Sequence, residues 1–511
     1  MKFNKILASA LLALGTLTAN AQGMFEALRF TTPDINGTAR YMGMAGAFGA
    51  LGADASAIFD NPAALGVYHS SEVAFSVDVN PTLTQANWHG DINNSFHTRA
   101  SFNNAGVVWA IGTGKERGYI TSNFNFSYAR RRNINRTLEG FTERSSSSSI
   151  ADYMANYTSG LYNSDLMNPD AYNDINIGWL SVLGFDAGLI DPIEGDSSHW
   201  QTRYPGVTGR SVTLFEKGGI DEYNLGYGFN ISEAFFFGAS FSLMDINYSL
   251  ETKYQEQNSQ NSFYLHNKLL TSGAGWNFKL GVIFCPVDFL RVGLSFHTPT
   301  YYTLTDRYYA TAASTGNKYE LQTPEAALTY RYKTPMKLQA SLGFIIGERA
   351  AIDVDYVFTN VKNGTRLSSG RFRSNGPFAD EDNDYLLDNE QIAQYARGVH
   401  MIKAGAEIML IPETLPLRLG VAYTTPVVNS DAQRNDPLTA THTNTDYFLE
   451  SRSIYASCGL GYRHRGFGID LAYLMRNAHS TYMPYVGSQS ELACDVNHFS
   501  HNIDLTLSFR F

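Results

Sequence analysis

The sequence predicts an all-β protein: a transmembrane antiparallel β-barrel of about fourteen strands with an N-terminal hatch inside its lumen. Three observations carry this. From Glu72 onward apolar and polar residues alternate with a period of two through most of the chain. The hairpins this implies have short turns at one end and long connections at the other, as the two ends of a membrane barrel do. The last alternating stretch sets Phe499, His501, Ile503, Leu505, Leu507, Phe509 and Phe511 against Ser500, Asn502, Asp504, Thr506, Ser508 and Arg510, and it ends on the C-terminal Phe. A soluble sandwich would bury the apolar set instead. Alternation alone does not separate the two; export signal, loop asymmetry and terminal Phe do.

Residues 1–21 read as a signal peptide. Lys2 and Lys5 form a basic start, Ile6 to Leu17 an apolar run, and Ala19-Asn20-Ala21 a cleavage site, which would leave Gln22 first. No Cys follows the site, so a lipid anchor is not expected. Removing the two lysines takes the formal charge from −10 to −12, which excludes nucleic acid as a natural partner. No later apolar run reaches the roughly 18 residues of a spanning helix. Yet the chain carries 31 Tyr, 32 Phe and 44 Gly with only 17% charged residues, a balance suited to aromatic girdles on a barrel wall. Cys285, Cys458 and Cys494 are too few and too scattered for a disulfide framework.

Residues 22–70 form the expected hatch. Met24, Phe25, Leu28 and Phe30 come first, then a turn at 33–37, then the Gly/Ala-rich stretch Arg40 to Leu65. Glycines at 43, 46, 49 and 52 let backbone approach backbone, and Asn61-Pro62-Ala63 turns the chain. Such a segment is too apolar for water and too short to cross a bilayer, so it needs a container. A polar lumen tolerates its irregular backbone.

Residues 71–511 are the container. Val73, Phe75, Val77 and Val79 alternate with Ala74, Ser76 and Asp78; Leu290, Val292, Leu294 and Phe296 alternate with Arg291, Gly293, Ser295 and His297. The apolar sets face lipid, where a mid-membrane charge costs about 2–4 kcal/mol. Tight turns are expected near 114–118, 230–233, 286–288, 347–349, 412–415 and 464–466, and long connections at 81–102, 139–219, 255–271, 309–320, 363–398, 428–451 and 479–497. The largest, 139–219, is too long for a plain loop. Ser149 caps an expected helix bearing Ile150, Tyr153, Met154, Tyr157 and Leu161, and Ile175, Ile177, Trp179, Leu180 and Leu183 form a second apolar patch. This surface reads as a lid on the barrel mouth or a landing site for a hydrophobic ligand.

At this point the chain resembles the FadL/TodX family of outer-membrane transporters of long-chain fatty acids and aromatic hydrocarbons. The resemblance rests on residues 43–65, GMAGAFGALGADASAIFDNPAAL, on 271–302, TSGAGWNFKLGVIFCPVDFLRVGLSFHTPTYY, and more weakly on 334–358. It implies a plugged fourteen-stranded barrel in the Gram-negative outer membrane, beside lipid and lipopolysaccharide, monomeric, without cofactor. It also implies passive uptake of hydrophobic molecules: capture on an extracellular loop, transfer to a pocket at the hatch N-terminus, then sideways release at a kinked third strand. The expected third strand, 119–138, has no interior Gly or Pro to mark a kink.

Uptake of this kind needs an apolar path rather than catalysis. Its candidate ligand contacts are Met24, Phe25, Leu28 and Phe30, with Phe236, Ile283, Val357, Met409 and Leu474, large apolar residues that break the polar lumen face. Packing against the hatch is the plainer role for these five. Lumen bases Lys279, Arg291 and Arg418 could meet a carboxylate or pair with Asp353, Asp355, Glu407 and Asp470. Asn61, Pro62 and Ala63 fix the hatch turn. No catalytic or metal motif is present: there is no P-loop, H-E-x-x-H or G-x-S-x-G. Asp380, Asp382 and Asp384 begin like a calcium loop, but Tyr385 and Gln391 stand where Gly and Glu are needed. His498 and His501 alone do not make a metal site. Two other functions stay open: an outer-membrane receptor for haem or another hydrophobic ligand, with His297, His400 and His464 as scattered candidates, and a barrel lipase, for which no Ser–His spacing argues.

Overall fold

The computed structural model describes residues 23–31, 34–316, 319–369, 385–437 and 439–511. The expected signal peptide and the Asp380, Asp382 and Asp384 run lie outside these. Fourteen antiparallel staves close on themselves. They are β1 Glu72–Trp88, β2 Asp91–Gly112, β3 Tyr119–Thr142, β4 Gly209–Ile231, β5 Phe235–Gln257 and β6 Ser262–Val287. Then come β7 (Leu290–His297, resuming as Tyr301–Ser314), β8 (Ala326–Lys333, resuming as Lys337–Ile346) and β9 (Ala350–Thr359, resuming as Arg366–Ser369). Last are β10 Val399–Ile411, β11 Leu415–Thr424, β12 Tyr447–His464, β13 Phe467–Met483 and β14 Cys494–Arg510. β14 pairs with β1 from Arg510↔Glu72 upward, so closure leaves no sheet edge there.

The two faces of each stave differ as the alternation requires. Val73, Phe75, Val77 and Val79 on β1, Val354 on β9 and Ile503, Leu505 and Phe509 on β14 point outward and are exposed. Ser76, Asp78, Asp353, Asp355, Asp504 and Thr506 point inward and are buried. A wall that is oily outside and polar inside needs an apolar solvent around it and a polar filling within.

Residues 23–68 supply the filling. Helix α1 (Met24–Arg29) lies at the mouth; α2 (Ala39–Gly43), α3 (Ala57–Asp60) and a 3-10 turn, Pro62–Val67, lie lower in the lumen. The lower core joins Ile35, Tyr41, Met42, Phe48 and Leu65 to wall residues Val357, Tyr455 and Leu474. The upper core joins α1 to Tyr248, Tyr302 and Tyr332 on the wall and to the long connection between β3 and β4.

That connection folds over the mouth. Ser149 caps helix α4 (Ile150–Thr158), its Oγ accepting from the Ala151 amide at 3.1 Å while its own amide donates to Asp152 Oδ2 at 3.1 Å. Ile150, Met154, Ile177, Leu180 and Leu183 are buried in the upper core, whereas Ile175 is exposed. Two long connections expected from sequence are instead strand. β1 and β2 run on to a turn at His89–Gly90, and β5 and β6 pair as far as Gln257↔Ser262. Above the apolar band the outward residues turn polar, so the period fades although the backbone ladder continues.

Candidate functional site

The hatch is held by charges from both sides. Asp60, at the end of α3, is the hub: its carboxylate meets Tyr41 Oη at 2.6 Å, Arg131 Nη2 at 2.7 Å, Lys403 Nζ at 2.9 Å and Lys337 Nζ at 3.4 Å. Burial alone would raise its pKa, but Lys337, Lys403 and Arg131 hold it well below the carboxylate range. Its backbone carbonyl accepts from Ser295 Oγ and His297 Nε2, both at 2.8 Å. On the wall side, Asp355 accepts the Phe48 and Gly49 amides at 3.2 Å, and Asp353 those of Ala50 and Leu51 at 3.0 and 3.2 Å.

Of the three lumen bases singled out from the sequence, Lys279 and Arg291 bond the hatch and Arg418 pairs with wall carboxylates. Lys279 pairs with Glu222 and donates to the Phe59 carbonyl at 2.9 Å; Arg291 donates to the Leu51 carbonyl at 2.7 Å. Arg418 bridges Glu407 and Asp470, both at 2.6 Å. Sequence reasoning missed Asp60, Arg131, Lys337 and Lys403, because a carboxylate inside a Gly/Ala segment shows no partner until the chain is folded. Asn61 donates to the Gly49 carbonyl at 2.7 Å and caps the 3-10 turn that Pro62 opens. The wall meets this turn at glycine: a Cβ on Gly281 would overlap Asn61 Oδ1, and one on Gly238 the Pro62 carbonyl.

The apolar candidates divide in two. Met24, Phe25, Leu28 and Phe30 are buried in the upper core, with Phe25 stacked on Tyr447 at 4.6 Å. Phe236 and Ile283 pack on Ala63, and Val357 and Leu474 in the lower core. Met409 is half-buried beside the β10–β11 turn. The structure thus brings the first four together and disperses the other five around the hatch. Among the described residues no three His, Cys, Asp or Glu converge as a metal site. His297 faces the hatch, His400 bonds Tyr356 Oη at 2.7 Å on the outer face, and His464 stacks on Tyr462.

Two cavities adjoin α1. One of about 30 Å³ sets Phe25, Leu28, Val428 and Phe448 beside charged side chains. A polar one of about 70 Å³ contains Arg132, Arg452 and Arg476. Arg29, Arg136, Val427 and Glu450 line both. Each is about the size of one or two waters, so a larger guest requires α1 to move. The helix is tethered by Glu26, which pairs with Arg434 at 2.9 Å, while Arg434 also holds Asp436 at 2.6 Å. Burial would raise the Glu26 pKa, but Arg434, Arg29 and His442 bring it down to about 2.

The wall has a seam. β2 pairs with β3 only from Gly112↔Thr121 to Asn104↔Ala129; above this, β2 keeps β1 and β3 keeps β4 as sole ladder partners. β3 slips register against β4 between Arg130 and Arg132, one extra residue that turns both Arg131 and Arg132 toward the lumen. Side chains bridge the seam: Asn93 donates to the Phe141 carbonyl at 3.2 Å, and the Glu139 amide donates to Ser95 Oγ at 3.0 Å. This irregularity is silent in the sequence because the bulge uses arginine, with inward ion pairs, instead of Gly or Pro.

No family model and no curated protein matches the chain in sequence. Solved structures do match. A FadL homologue of Pseudomonas aeruginosa is 12% identical with a TM-score of 0.54 over 94% of this chain and 99% of that one. The Pseudomonas putida toluene transporter TodX is 14% identical, TM-score 0.53, over 94% and 100%. The Ralstonia pickettii toluene transporter TbuX is 12% identical, TM-score 0.51, over 93% and 99%. Over nearly its whole length the chain thus resembles the FadL/TodX family in fold, a closed fourteen-stranded barrel.

Proposed function

We propose that this protein is a passive transporter of hydrophobic compounds in the Gram-negative outer membrane, exported by cleavage after Ala21. The observation that carries the reading is the pair of cavities at α1, which share Arg29 and Arg136 and set aromatic and aliphatic side chains beside them, inside a hatch-filled barrel. Within that class the arrangement favours an amphiphile with a carboxylate, such as a long-chain fatty acid. Arg29 and Arg136, which pair with Glu216 at 3.4 and 2.5 Å, would share their charge with the carboxylate, and Phe25, Leu28 and Phe448 would meet the start of the chain. Each buried CH₂ contributes about 0.8 kcal/mol, so a short apolar contact retains an acyl chain. Toluene, named for two of the structural neighbours, would use the apolar side alone. The seam between β2 and β3 is the exit we assign, since wall and hatch are joined by direct bonds throughout the lower lumen.

The test is uptake of labelled oleate and labelled toluene by cells lacking their own porter. Oleate uptake should exceed the empty-vector control and fall several-fold on Phe25→Ala or Arg136→Gln with barrel levels unchanged. Toluene uptake without oleate uptake would move the substrate class to neutral hydrocarbons. No uptake of either by folded protein would overturn the transport reading.

A further inference from the structure

The outer wall carries two features that the transport reading does not use, and they adjoin. The first is a depression of about 930 Å³ on the lipid-facing side of β4 to β10, near the upper end of the roughly 300–1,000 Å³ typical of ligand pockets. Its lining includes Leu280, Leu294, Leu338 and Phe358, with small residues Ala239 and Ala340. Its polar rim is the Tyr356–His400 pair, at the end away from the short turns. The second feature is a group of bases just above that rim. Lys333 lies opposite Tyr301, which lies opposite the outward-facing Trp276; Arg366 lies opposite Lys333 in turn. Residues directly opposite in antiparallel pairs share a face, so Lys333 and Arg366 point outward.

Two more bases join them. Lys362 is exposed on the helical turn Val361–Gly364, which packs on Pro335 in the break of β8. Arg397 is exposed beside Gly398, where a Cβ would meet the Phe358 ring of the depression. Among the described residues none of these four bases makes an ion pair, in a chain of net charge −10.

We propose that this face binds one lipopolysaccharide molecule, its acyl chains in the depression and its phosphates on Lys333, Lys362, Arg366 and Arg397. Charge and place favour this occupant: the bases sit at the extracellular border of the apolar band, where the outer leaflet presents a multiply phosphorylated, multiply acylated head. A second copy of the chain fits poorly. A two-fold contact sets the same patch against itself, which here doubles a hollow and opposes like charges. The site is independent of what passes through the barrel, so its failure leaves the transport reading standing.

The test uses the full mature protein in detergent, with native mass spectrometry and titration. The probes are bis-phosphorylated lipid A, dephosphorylated lipid A and phosphatidylglycerol. One bound lipid A is expected, at least tenfold tighter than either alternative. A basic residue near an anionic surface contributes roughly fivefold, so Lys333→Gln/Arg366→Gln/Arg397→Gln should weaken lipid A about a hundredfold. Ala340→Trp, which fills the depression, should weaken it while leaving all four bases in place. Heat-modifiable gel migration confirms the barrel in every variant. Equal binding of lipid A and phosphatidylglycerol, unchanged binding by both variants, or a dimer cross-linked through Ala340 would overturn the proposal.

Discussion

Replacing Asp60 by Asn removes the charge on which Arg131, Lys337 and Lys403 converge and keeps the shape. Removing one partner of a buried ion pair costs about 3–5 kcal/mol, because the other charge is left unmatched. Here Lys403 retains Asp355 at 3.4 Å and Arg131 retains Glu222 at 3.6 Å, so the lower end applies. A loss of about 3 kcal/mol is roughly a hundredfold in an opening equilibrium. The barrel ladder does not depend on Asp60, so the loss should appear in the hatch alone. The assay is amide hydrogen exchange at Phe48, Gly49, Ala50 and Leu51, the four donors to Asp355 and Asp353. Asp60→Asn should speed their exchange about a hundredfold and leave β5 and β6 unchanged. Wild-type exchange at these four amides in a folded barrel would refute the claim that Asp60 locks the hatch.

Other outcomes follow from the same contacts. Gly281→Ala should cost about 1–3 kcal/mol by overlapping Asn61, visible as faster proteolysis of the hatch with the barrel retained. Unchanged proteolysis would show that the Asn61 turn has room to shift. At the mouth, pH acts in two directions. Glu26 and Asp436 sit at about 2 against Arg434 despite burial, so their contribution is full above about pH 4.5 and is lost as pH falls toward 2. Burial, opposed by Arg434, raises Asp446 to about 6, so charging it weakens the mouth as pH rises from about 4 to 6. Exchange protection of α1, corrected for intrinsic rates, should peak in mild acid; a flat profile would contradict it. Finally, Ser101→Cys with Asn133→Cys, whose side chains meet across the seam at 3.5 Å, in a background without the three native cysteines, should block uptake when oxidised and restore it when reduced. Uptake indifferent to oxidation would exclude the seam as the exit.

Much of the fold was legible because lipid imposes a simple rule on a barrel wall. Val73 to Val79 and Ile503 to Phe509 had to face outward, and the turns between hairpins followed from where that pattern stopped. The rule holds only within the apolar band. Above it, residues 81–102 read as a loop although their ladder runs unbroken to Trp88↔Asp91. The hatch was visible in its composition, and its N-terminal apolar residues do gather at one place. What fixes it there was not visible: Asp60 meets Lys337 and Lys403 across hundreds of residues, and β3 bulges at an arginine. Phe236 and Ile283 broke the lumen pattern for a local reason, namely the hatch turn pressed against them.

The most direct measurement is a crystal structure with a terminally brominated long-chain fatty acid bound. With the ligand bound, α1 should be displaced, the carboxylate should lie against Arg29 and Arg136, and the bromine should sit beyond Phe25 on the side of the β2–β3 seam. Bromine only on the outer wall, with α1 still paired to Arg434 and both cavities closed, would contradict it.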